Sequence, residues 1–466
     1  MRTLLCHLIV GLWVLVANPE RLPAQEPVPE HAQRQLTVFA AAVAQPVLQH
    51  RLLPAEYELR DGNAAPILLR LPWEQTQFLM TDVSVFHEHL EIPLSEPGKI
   101  ITAGPGLRPR MYAELRRAAF RRTAAWEYPI DESPADEIIL PDVQGSRQLV
   151  FGGLAVWIRL QIAQKRLDEA RQGILVGLAN ARHYARSPFL ISQLVAAAHS
   201  NVVLDRLEEL IQQPGCPNFY WPLTALPSPF IDFRRGFEFN RGMLEKSVVG
   251  LHDLEQARSP EQWDALAHPL IKKLLDDSIP NDERALEAIH ARALGLARRE
   301  LPKLRPEVQE SIPALCDGEL IVRWFMARID DLYDRMTGAC GLTPSQAVAE
   351  LCRIESEASE LTNANSLRLV MQDPSTAYLE LVRFDRRVAS LRVVEALRHY
   401  AATHQGKLPE KLAEMTGTPV PRDPYTGEPF GYKRQSASVV ITAPGIADAG
   451  GTQHNAVELR IKFVQE

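Results

Sequence analysis

The apolar positions of this chain recur in helical steps through its middle and lose that regularity toward both ends. Leu149, Gly153, Val156, Leu160 and Ala163 share one helix face, as do Leu167, Ala170, Ile174, Gly177 and Ala181. Leu190, Leu194, Ala197, Asn201, Leu204, Leu207 and Ile211 form a third such set, and Pro188 suits the first turn of that helix. The breaks between the sets are short, which predicts antiparallel neighbours. Gly173 and Gly177 lie four apart and would let a neighbouring helix approach closely. Further helices are predicted over 232–254, 261–276, 282–299, 318–336 and 344–362, the last opened by Thr343 as a cap with Pro344 at the first helical position. The stripe Leu381, Phe384, Val388, Leu391, Val394, Leu397 and Ala401 predicts a long helix, with Arg383, Arg386, Arg387 and Arg392 off the stripe.

Near the start, residues 36–49 predict one helix, Arg60–Pro66 a turn, and several short Pro-punctuated helices continue to Asp142. Near the end, Val439–Thr442 and Val457–Val464 predict strands. The fold class is therefore mainly α: an antiparallel helical array followed by a small α+β module. Four regions are expected: 1–24, an irregular helical region 25–142, the array 143–374, and the module 375–466.

Composition narrows the function. With 46% hydrophobic and 23% charged residues, the 466-residue chain can bury a core. A net charge of −7 argues against a nucleic-acid scaffold, whose phosphate contacts need a basic surface. Residues 1–24 have the layout of a secretory signal peptide: Arg2, an apolar stretch from Leu4 to Ala17, and Leu22-Pro23-Ala24 before a cut. That stretch is shorter than the ~20 residues of a spanning helix, and no later segment is apolar and long enough to span. The mature protein is expected to be extracytoplasmic, in the periplasm or at the cell surface. Once Cys6 has left with the leader, Cys216, Cys316, Cys340 and Cys352 remain, enough for two disulfides in any of three pairings or for four buried thiols.

Two stretches carry resemblances. RLDEARQGI, beginning at Arg166 after a small-residue helix, resembles the opening of the second helix of a tetratricopeptide repeat, although no clear second copy follows at a 34-residue period. Residues 393–434, VVEALRHYAATHQGKLPEKLAEMTGTPVPRDPYTGEPFGYKR, resemble the globular part of type II secretion pseudopilins. There Gly406 ends the helix, Asp423-Pro424 and Thr426-Gly427 close tight turns, and Phe430 and Tyr432 begin a hairpin. No prepilin cleavage site precedes this module, and of a calcium loop only Asp448 remains. More broadly, LPDVQGSRQL, LDRLEELIQQPGCPNFYWPLTALPSPFID and RRVASLRVVEALRHYAATHQGKLPEKL resemble a family of secreted, helix-rich bacterial proteins, which implies architecture and not activity.

Candidate chemistry is sparse. His87-Glu88-His89 could share a metal on a strand, but no third ligand is near in sequence. Asp330-Asp331-Leu332-Tyr333-Asp334 matches the DDxxD pattern of isoprenoid synthases without the second acidic motif that chemistry needs, and reads as helix-surface ion pairs with Arg328 and Arg335. Cys340, between Gly338 and Gly341, has no basic neighbour to activate it. His183, His199 and His290 have no paired partner in sequence, and Arg110, Arg116, Arg117, Arg121 and Arg122 read as a solvated face. No GxSxG, HExxH, P-loop or GxGxxG occurs. No catalytic residue, metal ligand or cofactor is therefore assigned. The expectation is a non-enzymatic scaffold for a protein or peptide, with Phe219, Tyr220 and Trp221 as candidate contacts. A hydrolase-like enzyme assembled from dispersed residues and an accessory part of a secretion apparatus are the alternatives.

Overall fold

The computed structural model describes residues 34–76, 88–102, 109–128, 152–246, 254–273, 283–361, 374–435, 438–447, 453–454 and 456–464. Residues 1–24, where the leader is expected, and Asp448 lie outside the described residues. The protein is mainly helical with a small sheet region. Strands β1 (Arg34–Phe39) and β2 (Arg60–Asn63) are followed by helices α1 (Ala65–Thr76), α2 (Pro97–Thr102) and α3 (Pro109–Ala119), and then by β3 (Arg121–Thr123), which pairs in parallel with β2. The array holds α4 (Ala155–Ala163), α5 (Leu167–Tyr184), α6 (Leu190–Ile211), α7 (Tyr220–Thr224), α8 (Arg234–Lys246), α9 (Pro260–Lys273), α10 (Glu283–Leu304), α11 (Asp317–Ala339) and α12 (Pro344–Leu361). The long α13 (Pro374–Thr403) leads to β4 (Gly431–Gln435), β5 (Ser438–Ala443), β6 (Ile446–Ala447), β7 (Gln453–His454) and β8 (Val457–Val464).

Helices α5 and α6 form the hairpin that the periodicity predicts, and α4 packs on both. The two glycines of α5 set the spacing. A Cβ on Gly173 would lie 2.6 Å from Ile158 of α4, and one on Gly177 would lie 2.6 Å from Val203 of α6. Both neighbouring helices therefore pass closer than any side chain would allow.

Residues 36–49 are not a helix. Leu36 and Val38 are buried and alternate with partly exposed neighbours, a period of two that makes Arg34–Phe39 a strand. It pairs in parallel with β8, from Arg34 opposite Leu459 to Phe39 opposite Val464. Strands β8, β5 and β4 continue antiparallel, so the four-stranded sheet runs β1-β8-β5-β4. The sheet of the carboxy-terminal module thus takes its first strand from the opposite end of the chain.

Helix α13 joins the parts. The Gly406 N–H, in left-handed backbone at φ +77°, caps the Ala401 carbonyl at 2.8 Å. The apolar stripe of α13 is buried as predicted, with Val388 half-buried, but so are Arg386 and Arg387. The helix is covered on more than one side, and each buried guanidinium has partners. Arg387 donates to Asp205, Glu208 and the Asn201 carbonyl of α6, while Arg34 of β1 reaches Glu208 at 2.6 Å. Arg398 pairs with Glu395 at 2.8 Å, both wholly buried, and donates to the carbonyls of Phe39 and Cys216. Glu395 also accepts the Phe219 N–H at 2.9 Å. Two polar clusters on α13 thus fasten it to its neighbours: Arg387 to α6 and, through Glu208, to β1, and the buried Arg398–Glu395 pair to β1 and the connector before α7.

Candidate functional site

A cavity of about 360 Å³ opens where four chain segments meet. Residues 48–59 form one wall and α5 near its carboxy-terminal end another; Ala119, Arg121 and Arg122 form the third, and Pro222–Pro227 the fourth. Five arginines line it (Arg51, Arg121, Arg122, Arg182 and Arg186) against one carboxylate, Glu56. Leu48, Leu52, Leu53, Leu59, Leu226 and the prolines supply an apolar side. The volume falls within the usual range of ligand pockets, about 300–1,000 Å³.

Local chemistry fixes these walls. The Asn63 side chain accepts from the Ala65 and Ala125 N–H groups at 3.0 and 2.9 Å and donates to the Ala125 carbonyl at 2.7 Å, clamping β2 beside β3. Gly62 adopts φ +123°, and a Cβ there would stand 2.9 Å from the Arg121 guanidinium. Arg121 then donates to the Asp61 carbonyl at 2.6 Å. Arg122 is paired with Glu56 and lies 3.4 Å from Asp61. Arg186 donates to the Arg122 carbonyl at 3.2 Å, which neutralises no charge. Neither Arg51 nor Arg182 has a side-chain ion pair among the described residues.

His183 lines the same cavity at 7% exposure, and its carbonyl accepts the Trp126 indole N–H at 2.9 Å. Neither ring nitrogen has a well-aligned hydrogen bond among the described residues, although the nearby Ala118 and Ala119 backbone weakly favours the charged ring. Burial, followed by Arg186 and Arg182, pushes the imidazole down to about 4. Arg182 is held below the ordinary guanidinium value by partial desolvation and then by Arg186. The cavity is therefore cationic without needing a charged histidine.

The residues singled out by sequence are mostly elsewhere. His87 lies outside the described residues. His89 is buried, its ring 3.0 Å from the Ile100 carbonyl, and its own carbonyl accepts from Arg159 at 2.6 Å. Asp330 pairs with Arg241 and Arg305, both at 2.8 Å; Asp331 with Arg328 and Arg335; and Asp334 with Arg241 at 3.5 Å. The DDxxD run is thus a set of ion pairs, but only Asp331 pairs with the flanking arginines as expected, whereas Asp330 and Asp334 reach arginines outside α11. Burial and then Asp232 push the Cys340 thiol up to about 12, and its sulfur donates to the Met336 carbonyl. All four described cysteines are free thiols. His199 is buried edge-on to Tyr184, and His290 is half-buried on α10.

The arginine series divides. Arg117 pairs with Glu114 at 2.5 Å and Arg116 covers the Phe120 ring, whereas Arg121 and Arg122 leave the helix and enter the cavity wall. Phe219 and Tyr220 are core residues at 0% and 1% exposure, and Trp221 is half-buried, so this triplet does not form a partner surface. Arg51, Arg182 and Arg186 were not legible as site residues. Arg182 and Arg186 carry the spacing of one helix face, but cations in a last turn ordinarily complement the helix dipole.

No helix among the described residues is long and apolar enough to cross a membrane, and no group of three His, Cys, Asp or Glu there could hold a metal ion. No protein family model, curated protein or solved structure matches this chain.

Proposed function

We propose that the protein is an exported, non-enzymatic scaffold that grips a protein or peptide partner at the arginine-lined cavity. The observation that carries this reading is the cavity itself: four segments distant in sequence converge on a ligand-sized space with five cations and one carboxylate. Its walls rest on the α5–α6 hairpin, whose close packing gives a rigid frame for a binding surface. Stacked helical hairpins commonly present such surfaces to peptides and proteins. In this reading the array is a degenerate tetratricopeptide-like solenoid and the carboxy-terminal unit a pseudopilin-like cap. The α5–α6 hairpin and the sequence α13, turn, β4–β5 hairpin support that description. The apolar run from Leu4 to Ala17 supports export.

The test is mass spectrometry of the protein recovered under native conditions from an envelope extract, beside a Leu226→Arg variant that blocks the cavity. A stoichiometric partner that is lost in the variant and released chemically unchanged is the expected result. A partner that the variant retains, or one converted to product during incubation, would overturn the proposal.

A further inference from the structure

We infer that the cavity receives an acidic peptide segment in which at least two carboxylates flank an apolar side chain. This deepens the scaffold reading and rests on it. In a chain with an overall charge of −7, the cavity lining carries five arginines and one glutamate. Two of the guanidinium groups, Arg51 and Arg182, have no carboxylate partner among the described residues, and Arg186 is satisfied only by a backbone carbonyl. Leaving so many like charges around one space costs Coulomb energy, which a ligand with several negative charges would recover.

The placement of the charges separates a peptide from a compact phosphate. Arg51 comes from the loop before β2, Arg121 and Arg122 from β3, Arg182 from the last turn of α5 and Arg186 from just beyond its carboxy-terminal end. Cations spread over three segments suit single charges distributed along a chain. A phosphate dianion is best served by backbone N–H groups at a helix amino terminus. The α5 end beside this cavity is a carboxy terminus, whose carbonyls oppose an anion. Between the cations, Leu48, Leu52, Leu53, Leu226 and Pro222 offer an apolar surface for a side chain between the carboxylates. Guanidinium forks bind carboxylates bidentately, which fixes the register of such a segment.

The test uses the full chain and an array of hexapeptides built from Asp, Glu, Leu and Gly, with the same sequences carrying Asn and Gln as controls and phenyl phosphate as competitor. Affinity should rise with the number of carboxylates, and the best acidic peptide should bind at least tenfold tighter than its amide counterpart. Arg51→Gln and Arg182→Gln should each weaken it several-fold and together more than tenfold, with the circular dichroism spectrum and melting curve retained. Arg116→Gln, outside the cavity, should leave affinity unchanged. Equal binding of the amide peptides, full affinity in a folded double variant, or phenyl phosphate binding more tightly than every peptide would overturn the inference. If these peptides fail while the native partner is still lost with Leu226→Arg, the scaffold reading stands and only the acidic-peptide assignment falls.

Discussion

Arg386 donates through Nε and Nη2 to the two carboxylate oxygens of Asp423, at 2.8 and 2.9 Å, with 1% and 2% of the side chains exposed. Asp423 also accepts from the Tyr425 N–H and the Thr426 hydroxyl, and the Gly427 N–H closes on its carbonyl at 2.8 Å. The turn that launches β4 is thereby fastened to the middle of α13.

Removing one member of such a pair leaves a buried charge without a counterion, which costs about 3–5 kcal/mol. Asp423→Ala should therefore lower the urea midpoint sharply. The double variant Arg386→Met with Asp423→Ala should recover a large part of the loss, because it leaves no buried charge behind. A double variant no more stable than the single one would show that turn geometry, and not charge, sets the cost.

Asp385 gives a pH dependence of its own. Burial pushes its carboxyl up to about 6, with the Ser228 hydroxyl and the Phe230 backbone opposing in part. Because the folded value exceeds the unfolded one, the protonated form suits the fold, and stability falls as pH rises from about 4 through 6. Asp385→Asn keeps an acceptor for Ser228 and should raise stability at pH 7.5 by on the order of 2 kcal/mol. At pH 4 it should change little. Denaturant midpoints across pH 4–8 measure both.

His183 acts with the opposite sign. Its folded value of about 4 lies below the unfolded one, so its contribution is full above about 6.5 and is lost as pH falls toward 4. His183→Leu should flatten the acid limb of the stability curve without changing the alkaline one. The two residues titrate over overlapping ranges, so the wild-type curve between pH 4 and 6.5 reports their difference, and only the single variants separate them.

Gly177→Ala adds a methyl 2.6 Å from Val203 Cγ2. Alanine favours a helix by ~1 kcal/mol over glycine, but overpacking typically costs about 1–3 kcal/mol. A net lowering of the melting temperature is expected, together with recovery when Val203→Ala is added. A more stable single variant would show that α6 yields at no cost.

Much of the helical architecture was legible because its cause is local. The apolar residues of α5, α6 and α13 repeat at three and four, and the structure places these helices, and the expected α9, α11 and α12, within a few residues of the expected spans. Strand β8 was legible by its alternation, and β5 by a short β-branched run that is buried without alternation. The segment 36–49 misled because its run of alanines suits a helix, while the strand signal occupies only Arg34–Phe39. The edge of β8, more than four hundred residues away, takes up Arg34–Phe39, and the alanine run that follows is held beside α13, with the Ala41 N–H donating to the Arg398 carbonyl and its carbonyl accepting from Asn218.

By itself, the sequence determined most of the helices from 167 onward to within a few residues, and that the chain is acidic overall. Tertiary structure alone decided that β1 completes the carboxy-terminal sheet, that Arg386 and Arg387 are buried, and that Arg51, Arg121, Arg122, Arg182 and Arg186 surround one cavity. The reason is range. Backbone periodicity is set by neighbours three or four residues apart, whereas convergence of charges depends on how those helices pack, and no local pattern encodes that.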